Sequence, residues 1–177
     1  MEKVGVHKRD ILRDPVEEAM DSQEEAKQEF RSALEQFEAV VGIQPGGLKD
    51  AYTELQGAYD DAESRAKEVS DRIAAVEDVS GDLFAEWQRR IDMITNAKLK
   101  AGSRKQLQSS QTAYRGFIGA MRQAESSMQP VLTAFRDQVL YLKHNLNAQA
   151  IASLKGELST IEADVGRLIR DMVESIR

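Results

Sequence analysis

The chain has 177 residues, enough for one domain with a sizeable core, yet its 41% apolar and 31% charged content is polar for a compact globule. A net charge of −6 lacks the basic footprint of a duplex-binding protein, so no nucleic acid is expected as a ligand. Cysteine is absent, which excludes disulfides, cysteine-ligated zinc, thiol catalysis and a lipidated cysteine within these residues.

Glycine and proline are sparse, and the composition favours good helix formers such as Ala, Glu, Lys, Leu, Arg and Gln. With aromatics at 6%, the core must be aliphatic and rich in alanine, as in an elongated bundle where every residue is near the surface. No run of about 18 apolar residues is present to span a membrane, and no signal-peptide pattern opens the chain.

In chain order, residues 1–14 are of mixed charge and lack a clear period, and read as a leader segment. Asp14, Pro15 and Glu17 then form a start signal of cap, first helical position and capping-box partner. This predicts helix one over 15–41; an earlier helical piece through Asp10, Ile11 and Leu12, bent at Pro15, is the alternative. Its apolar positions are Val16, Met20, Phe30, Leu34, Phe37 and Val41, beside a row of Ala19, Ala26, Ala33 and Val40. Gln23 and Lys27 interrupt that seam. Turn chemistry makes Gly42 to Gly47 a loop.

Leu48, Tyr52, Leu55, Tyr59, Ala62, Ala66, Val69, Ile73 and Val76 alternate four and three apart, and the register continues through Ser80, Leu83, Trp87 and Ile94. That heptad seam suits a left-handed supercoil and predicts helix two over 48–96. Gly81 costs about 1 kcal/mol relative to alanine, too little to break it. Ala97 to Gly102 reads as a turn, with Ser103 and Gln106 at capping-box spacing to open helix three, 103–144. Its seam is Leu107, Tyr114, Phe117, Met121, Ala124, Met128, Val131, Phe135, Val139 and Leu142. The phase survives Pro130, so a kink is expected there and not a stop. Asn147 is placed to cap helix four, 147–176, with Leu146 and Ile151 spaced for a hydrophobic staple. Ile151, Leu154, Leu158, Ile161, Val165, Leu168, Met172 and Ile176 form the last seam.

Short connections make sequential helices antiparallel. The expected fold is all-α: one helical domain, an elongated antiparallel coiled-coil or four-helix bundle, with a hairpin of helices two and three projecting about 30 Å beyond it. A three-helix, spectrin-like arrangement is the alternative.

Two stretches carry a resemblance: Met1-Glu2-Lys3-Val4-Gly5-Val6-His7-Lys8-Arg9-Asp10-Ile11-Leu12, and, more specifically, Phe135-Arg136-Asp137-Gln138-Val139-Leu140-Tyr141-Leu142-Lys143-His144-Asn145-Leu146-Asn147-Ala148. Both resemble a bacterial family catalogued as domain of unknown function 2959, and the likeness covers nearly the whole chain. Its members resemble secreted lipoproteins whose lipid-bearing cysteine precedes the segment matching Met1. The resemblance therefore implies a periplasmic protein of the Gram-negative envelope, lipid-anchored at full length. Some members carry the label of DNA repair ATPase. The family offers no established catalytic residues to carry over.

The residues speak against such catalysis. Phosphate cradling needs a glycine-rich loop leading to Gly-Lys-Ser/Thr; the nearest string, Gly46-Gly47-Leu48-Lys49, lacks both spacing and hydroxyl. A di-iron bundle needs Glu-x-x-His pairs, but Val4 and Tyr141 precede His7 and His144 by three. His144, Asn145 and Asn147 read as polar residues closing one helix and capping the next, and His7 as part of the leader. Adjacent acids such as Glu17–Glu18, Glu24–Glu25 and Asp60–Asp61 point about 100° apart on a helix and make a solvated face. Met20, Met121, Met128 and Met172 fall on seams and read as core. No catalytic, cofactor-binding or metal residues are assigned, no cofactor is expected, and the chain is not expected to be an enzyme.

Two interaction features remain. Arg89, Arg90, Lys98, Lys100, Arg104 and Lys105 face only Glu86 and Asp92 between residues 86 and 105, a local excess of four positive charges in an acidic chain. Seven acids against one lysine between Asp14 and Glu29 make the flank of helix one acidic. The basic hairpin tip suits an acidic protein partner, or an anionic membrane or lipopolysaccharide surface. Ordinary surface charge, with cations favourable at the end of helix two, is the competing account. The second feature is the segment 135–158, whose Val139, Leu140, Leu142, Leu146 and Ile151 suit the broadest core layer or a homodimer surface. The function these features suggest is a non-catalytic structural or adaptor protein of the envelope. A membrane-surface helical module is the alternative, and a repair-associated ATPase is disfavoured for want of a phosphate loop.

Overall fold

The computed structural model describes the backbone of residues 2–43 and 45–176, and the side chains of 12–43 and 46–175. Four α-helices follow in order: α1 Glu2–Val40, α2 Leu48–Asp92, α3 Ala97–His144 and α4 Ala148–Ile176, with a 3₁₀ turn at Pro45–Gly47 before α2. Contacts run α1 to α2, α2 to α3, α3 to α4, and back from α4 to α1. The four helices thus close an up-down-up-down ring, an all-α antiparallel bundle.

The seams read from sequence are the ones that pack. On α2, Leu48, Leu55, Ala62, Ala66, Val69, Ile73, Val76, Ser80 and Leu83 are buried. Ala51 and Ala58 are buried as well, forming a second row beside the first. Ala19, Ala26 and Ala33 are buried on α1. Small side chains on both helices let the axes of α1 and α2 approach closely. Toward the α3–α4 turn the filling becomes aromatic: the Phe135 ring stacks on Phe37 at a centroid distance of 4.6 Å and an interplanar angle of 9°, with Phe30 at 6.3 Å. All three phenylalanines are fully buried.

The interruptions in the α1 seam are explained by the polar layer they make. Gln23 is fully buried. Its Nε2 donates to the Met121 carbonyl of α3 at 3.4 Å, and its Oε1 accepts from the Ser175 hydroxyl of α4. Lys27 runs its stem over the seam and delivers Nζ to Glu24 at 2.8 Å, an ion pair that helps hold the Glu24 carboxyl below its usual range. Half-exposed pairs fix the rest of the register: Glu25–Arg65 and Glu18–Arg72, each 2.8 Å, between α1 and α2, and Glu77–Arg122, 2.7 Å, between α2 and α3. Each contributes at most about 1 kcal/mol, so they orient more than they stabilise.

Three boundaries differ from the sequence expectation. Helix one begins at Glu2, not Pro15, and the segment expected as a leader is its first part. Pro15 therefore lies in the helix interior, where its missing N–H forgoes one backbone hydrogen bond, and the supposed capping box does not form: Glu17 accepts instead from Arg13 Nε at 3.0 Å. Helix two ends at Asp92 and helix three opens at Ala97, where Ser103 was expected. The reason is Asn96, whose side-chain oxygen accepts from the N–H groups of Lys98 and Leu99 at 3.0 and 3.1 Å. An N-cap there satisfies two orphan donors and carries the helix through Gly102. The pairs Glu25–Arg65 and Glu18–Arg72 set α1 antiparallel to α2, so its earlier start lengthens α1 in the direction of the α2–α3 turn.

Other local expectations hold. Asn147 caps α4, its Oδ1 accepting from the N–H groups of Gln149 and Ala150. Pro130 does not stop α3, which continues to His144. A Cβ at Gly47 would meet Ile43 Cγ2 at 3.0 Å, so alanine there asks that side chain to give by a few tenths of an ångström. The side chains of His7 and Ile176 lie outside the described residues.

Candidate functional site

The turn between α2 and α3, residues 93–96, gathers the predicted interaction residues at one end of the bundle. Arg89 and Arg90 occupy the last turn of α2. Lys98 and Lys100 lie in the opening turns of α3, with Arg104 and Lys105 just behind them. All are exposed except Lys100, which is half-buried. Arg90 reaches Glu86 at 2.8 Å, and Asp92 accepts from Gln88 at 3.0 Å, so the two acids of the region are engaged along α2.

Local helix physics treats the two groups of cations differently. Arg89 and Arg90 sit where the α2 dipole favours positive charge. Lys98 sits at the second position of α3, where the dipole disfavours it, and the first turn of α3 holds no acid. Surface charge placed for helix stability therefore accounts for the arginines and fails for the lysine. The third position, where a capping-box glutamate would reach back to the cap, is Leu99.

Sequence reasoning missed the apolar half of this tip. Met93 is 80% exposed and Leu99 51%, the two most exposed large hydrophobic side chains among the described residues. A signal was present: Met93 falls one residue off the α2 seam, and Leu99 belongs to no seam. Just below them Ile91 and Leu107 are buried, although they stand apart from the main core cluster. Phe84 meets Tyr114 edge-on at 5.6 Å further down. The apex is thus firm beneath and apolar above, with cations around it.

The other candidates resolve into structure. In the segment 135–158, Val139 and Leu142 are buried and Ile151 packs against the core, while Leu140 and Leu146 remain exposed, so Leu146 does not close the expected staple. On the acidic flank, Glu17, Glu18, Glu24 and Glu25 hold Arg13, Arg72, Lys27 and Arg65. His144 is exposed in the last turn of α3, and Asn145 Nδ2 donates to the Tyr141 carbonyl at 3.0 Å. Met121, Met128 and Met172 are core. Among the described residues, no three His, Cys, Asp or Glu side chains group as metal ligands, and no helix is long and apolar enough to cross a membrane. A shallow groove of about 390 Å³ between α2 and α3 is lined by Tyr59, Glu63, Lys67, Gln129, Thr133 and Arg136 among others. Burial, then the hydrogen bond to Glu63, hold the Tyr59 hydroxyl above its usual range.

An antiparallel helical bundle with a charged, apolar-capped turn at one end is the class of protein that fold and site define. The chain belongs to the family described as protein of unknown function, DUF2959, whose profile matches residues 1–177. No curated protein and no solved structure matches it at a significant level.

Proposed function

We propose that this protein is a non-catalytic structural or adaptor component of the bacterial cell envelope that docks through its α2–α3 tip. The observation that carries this is the placement of Lys98 and Leu99 in the first turn of α3, where helix stability asks for acids. Positions that break local rules without a compensating contact are where function is expected. The envelope setting, periplasmic and lipid-anchored at full length, is supported by the lipoprotein-like character of the resemblance. The rod-like scaffold supplies reach and a firm base, and the tip supplies attachment.

The test is site-specific photocrosslinking in cells that carry the full-length protein, from Arg104 and Lys105 at the tip and from exposed Thr53 and Thr160 on the flanks. Adducts concentrated at the tip positions are expected. Equal labelling from tip and flank refutes docking by the tip.

A further inference from the structure

We propose that the surface engaged by the tip is an anionic phospholipid bilayer, with Met93 and Leu99 seated at the boundary between headgroups and acyl chains. The inference rests on docking by the tip and names its partner.

The first argument is depth. Met93 lies in the turn and Leu99 at the third position of α3, so both apolar side chains are at the apex. Arg89 stands about 6 Å behind Met93 along α2, and Arg104 and Lys105 about 8–9 Å behind Leu99 along α3. Lys98 and Lys100 flank Leu99 itself. Interfacial helices bury apolar groups about 5–10 Å into the headgroup boundary, so apolar residues at that depth leave these cations among the phosphates. Long basic side chains bridge any remaining distance by extending toward the charged layer.

Shape supplies the second argument. A stable protein interface buries about 800 Å² on each partner, usually over a broad patch. The end of two helices joined by a four-residue turn is a small convex cap. A fluid headgroup layer can close around such a cap without a preformed complementary pocket. The third argument is charge: the excess of four positive charges between residues 86 and 105 complements an anionic leaflet, with each exposed cation adding about fivefold to the partition. The acidic flank of a second copy is a weaker complement, because Glu17, Glu18, Glu24 and Glu25 are already paired within the chain.

Co-sedimentation of the full chain with vesicles tests this, using phosphatidylcholine alone and a roughly 60:40 mixture with phosphatidylglycerol. The wild type is expected to bind the anionic vesicles and leave the neutral ones. Lys98→Glu with Lys100→Glu should lower the partition about 25-fold or more. Met93→Gln with Leu99→Gln keeps every charge and should still lower it about tenfold or more. Met93, Lys98 and Leu99 are exposed at the tip and Lys100 is half-buried beside them, and helicity measured by circular dichroism confirms that the variants are folded. Wild-type binding unchanged by the glutamines overturns the seating of Met93 and Leu99. Absence of binding to anionic vesicles overturns the lipid partner. If a crosslinker at Leu99 then captures a protein in cells, docking by the tip stands with a different partner. If tip and flank positions label alike, both fall together.

Discussion

Lys98→Glu is expected to make the protein more stable while it weakens tip docking. Lys98 is the second residue of α3, directly after the Asn96 cap, and its backbone N–H is already held by Asn96. The substitution therefore acts on the dipole and leaves the cap intact. Removing a cation from a helix N-terminus relieves about 0.3–1 kcal/mol, and placing an anion there gains a similar amount, for a total of about 0.6–2 kcal/mol at low ionic strength. For a chain of this size that corresponds to a rise in melting temperature of about 2–6 °C when the whole molecule unfolds in one step. If the tip opens on its own, the gain is local, and amide exchange at residues 100–104 slows about 3- to 30-fold. Melting followed at 222 nm in about 20 mM and 500 mM salt, with hydrogen exchange alongside, covers both cases. The gain must shrink in high salt, because dipole interactions are screened. No gain at either salt, in either measurement, refutes the claim that the tip sequence sacrifices stability.

Three further outcomes probe the bundle. Phe135→Ala empties the centre of the stack with Phe30 and Phe37 and should cost about 3–5 kcal/mol in urea unfolding, whereas a loss below about 1 kcal/mol would show the ring is not a shared core element. Gln23→Ala removes the side-chain hydrogen bonds that tie α1 to the Met121 carbonyl and to the Ser175 hydroxyl, which keeps the Met172 carbonyl as its acceptor, and should cost about 1–2 kcal/mol, with exchange protection falling first at the end of α4 near Ser175. Tyr59 has its pKa raised in the folded chain, so its contribution is fully present below the unfolded value near 10 and is lost as pH rises through the higher folded value. The urea midpoint of the wild type should therefore fall above about pH 10, and Tyr59→Phe should flatten that fall.

The seams of α2, α3 and α4 were legible because heptad spacing is a long-range pattern that packing reinforces at every turn. The helix ends were less so. Asp14-Pro15 carries all the local marks of a start, while Arg13 four residues before Glu17 is an equally local mark of a continuing helix, and spacing alone does not choose between them. Asn96 and Ser103 are both competent caps; the choice fell to Asn96, which moved Lys98 and Leu99 from a presumed loop into a first helical turn. That shift gives the tip its meaning, because the same lysine is unremarkable in a loop and unfavourable at a helix N-terminus. The basic residues were visible as a charge excess. The exposure of Met93 was hinted at only by its place one residue off the seam, since a methionine so near a seam reads as core until the helix phase is fixed.

The turn at 93–96 leaves only four residues between α2 and α3, which has a mechanical consequence. So short a joint cannot act as a swivel, and a molecule held at that end must carry its long axis with it. The 45 residues of α2 then set a standoff of about 68 Å between the held surface and the opposite pole, where Leu140 and Leu146 are exposed. The bundle works as a ruler whose graduations are heptads. Removing one matched heptad from each helix should bring the two ends about 10 Å closer and preserve every seam.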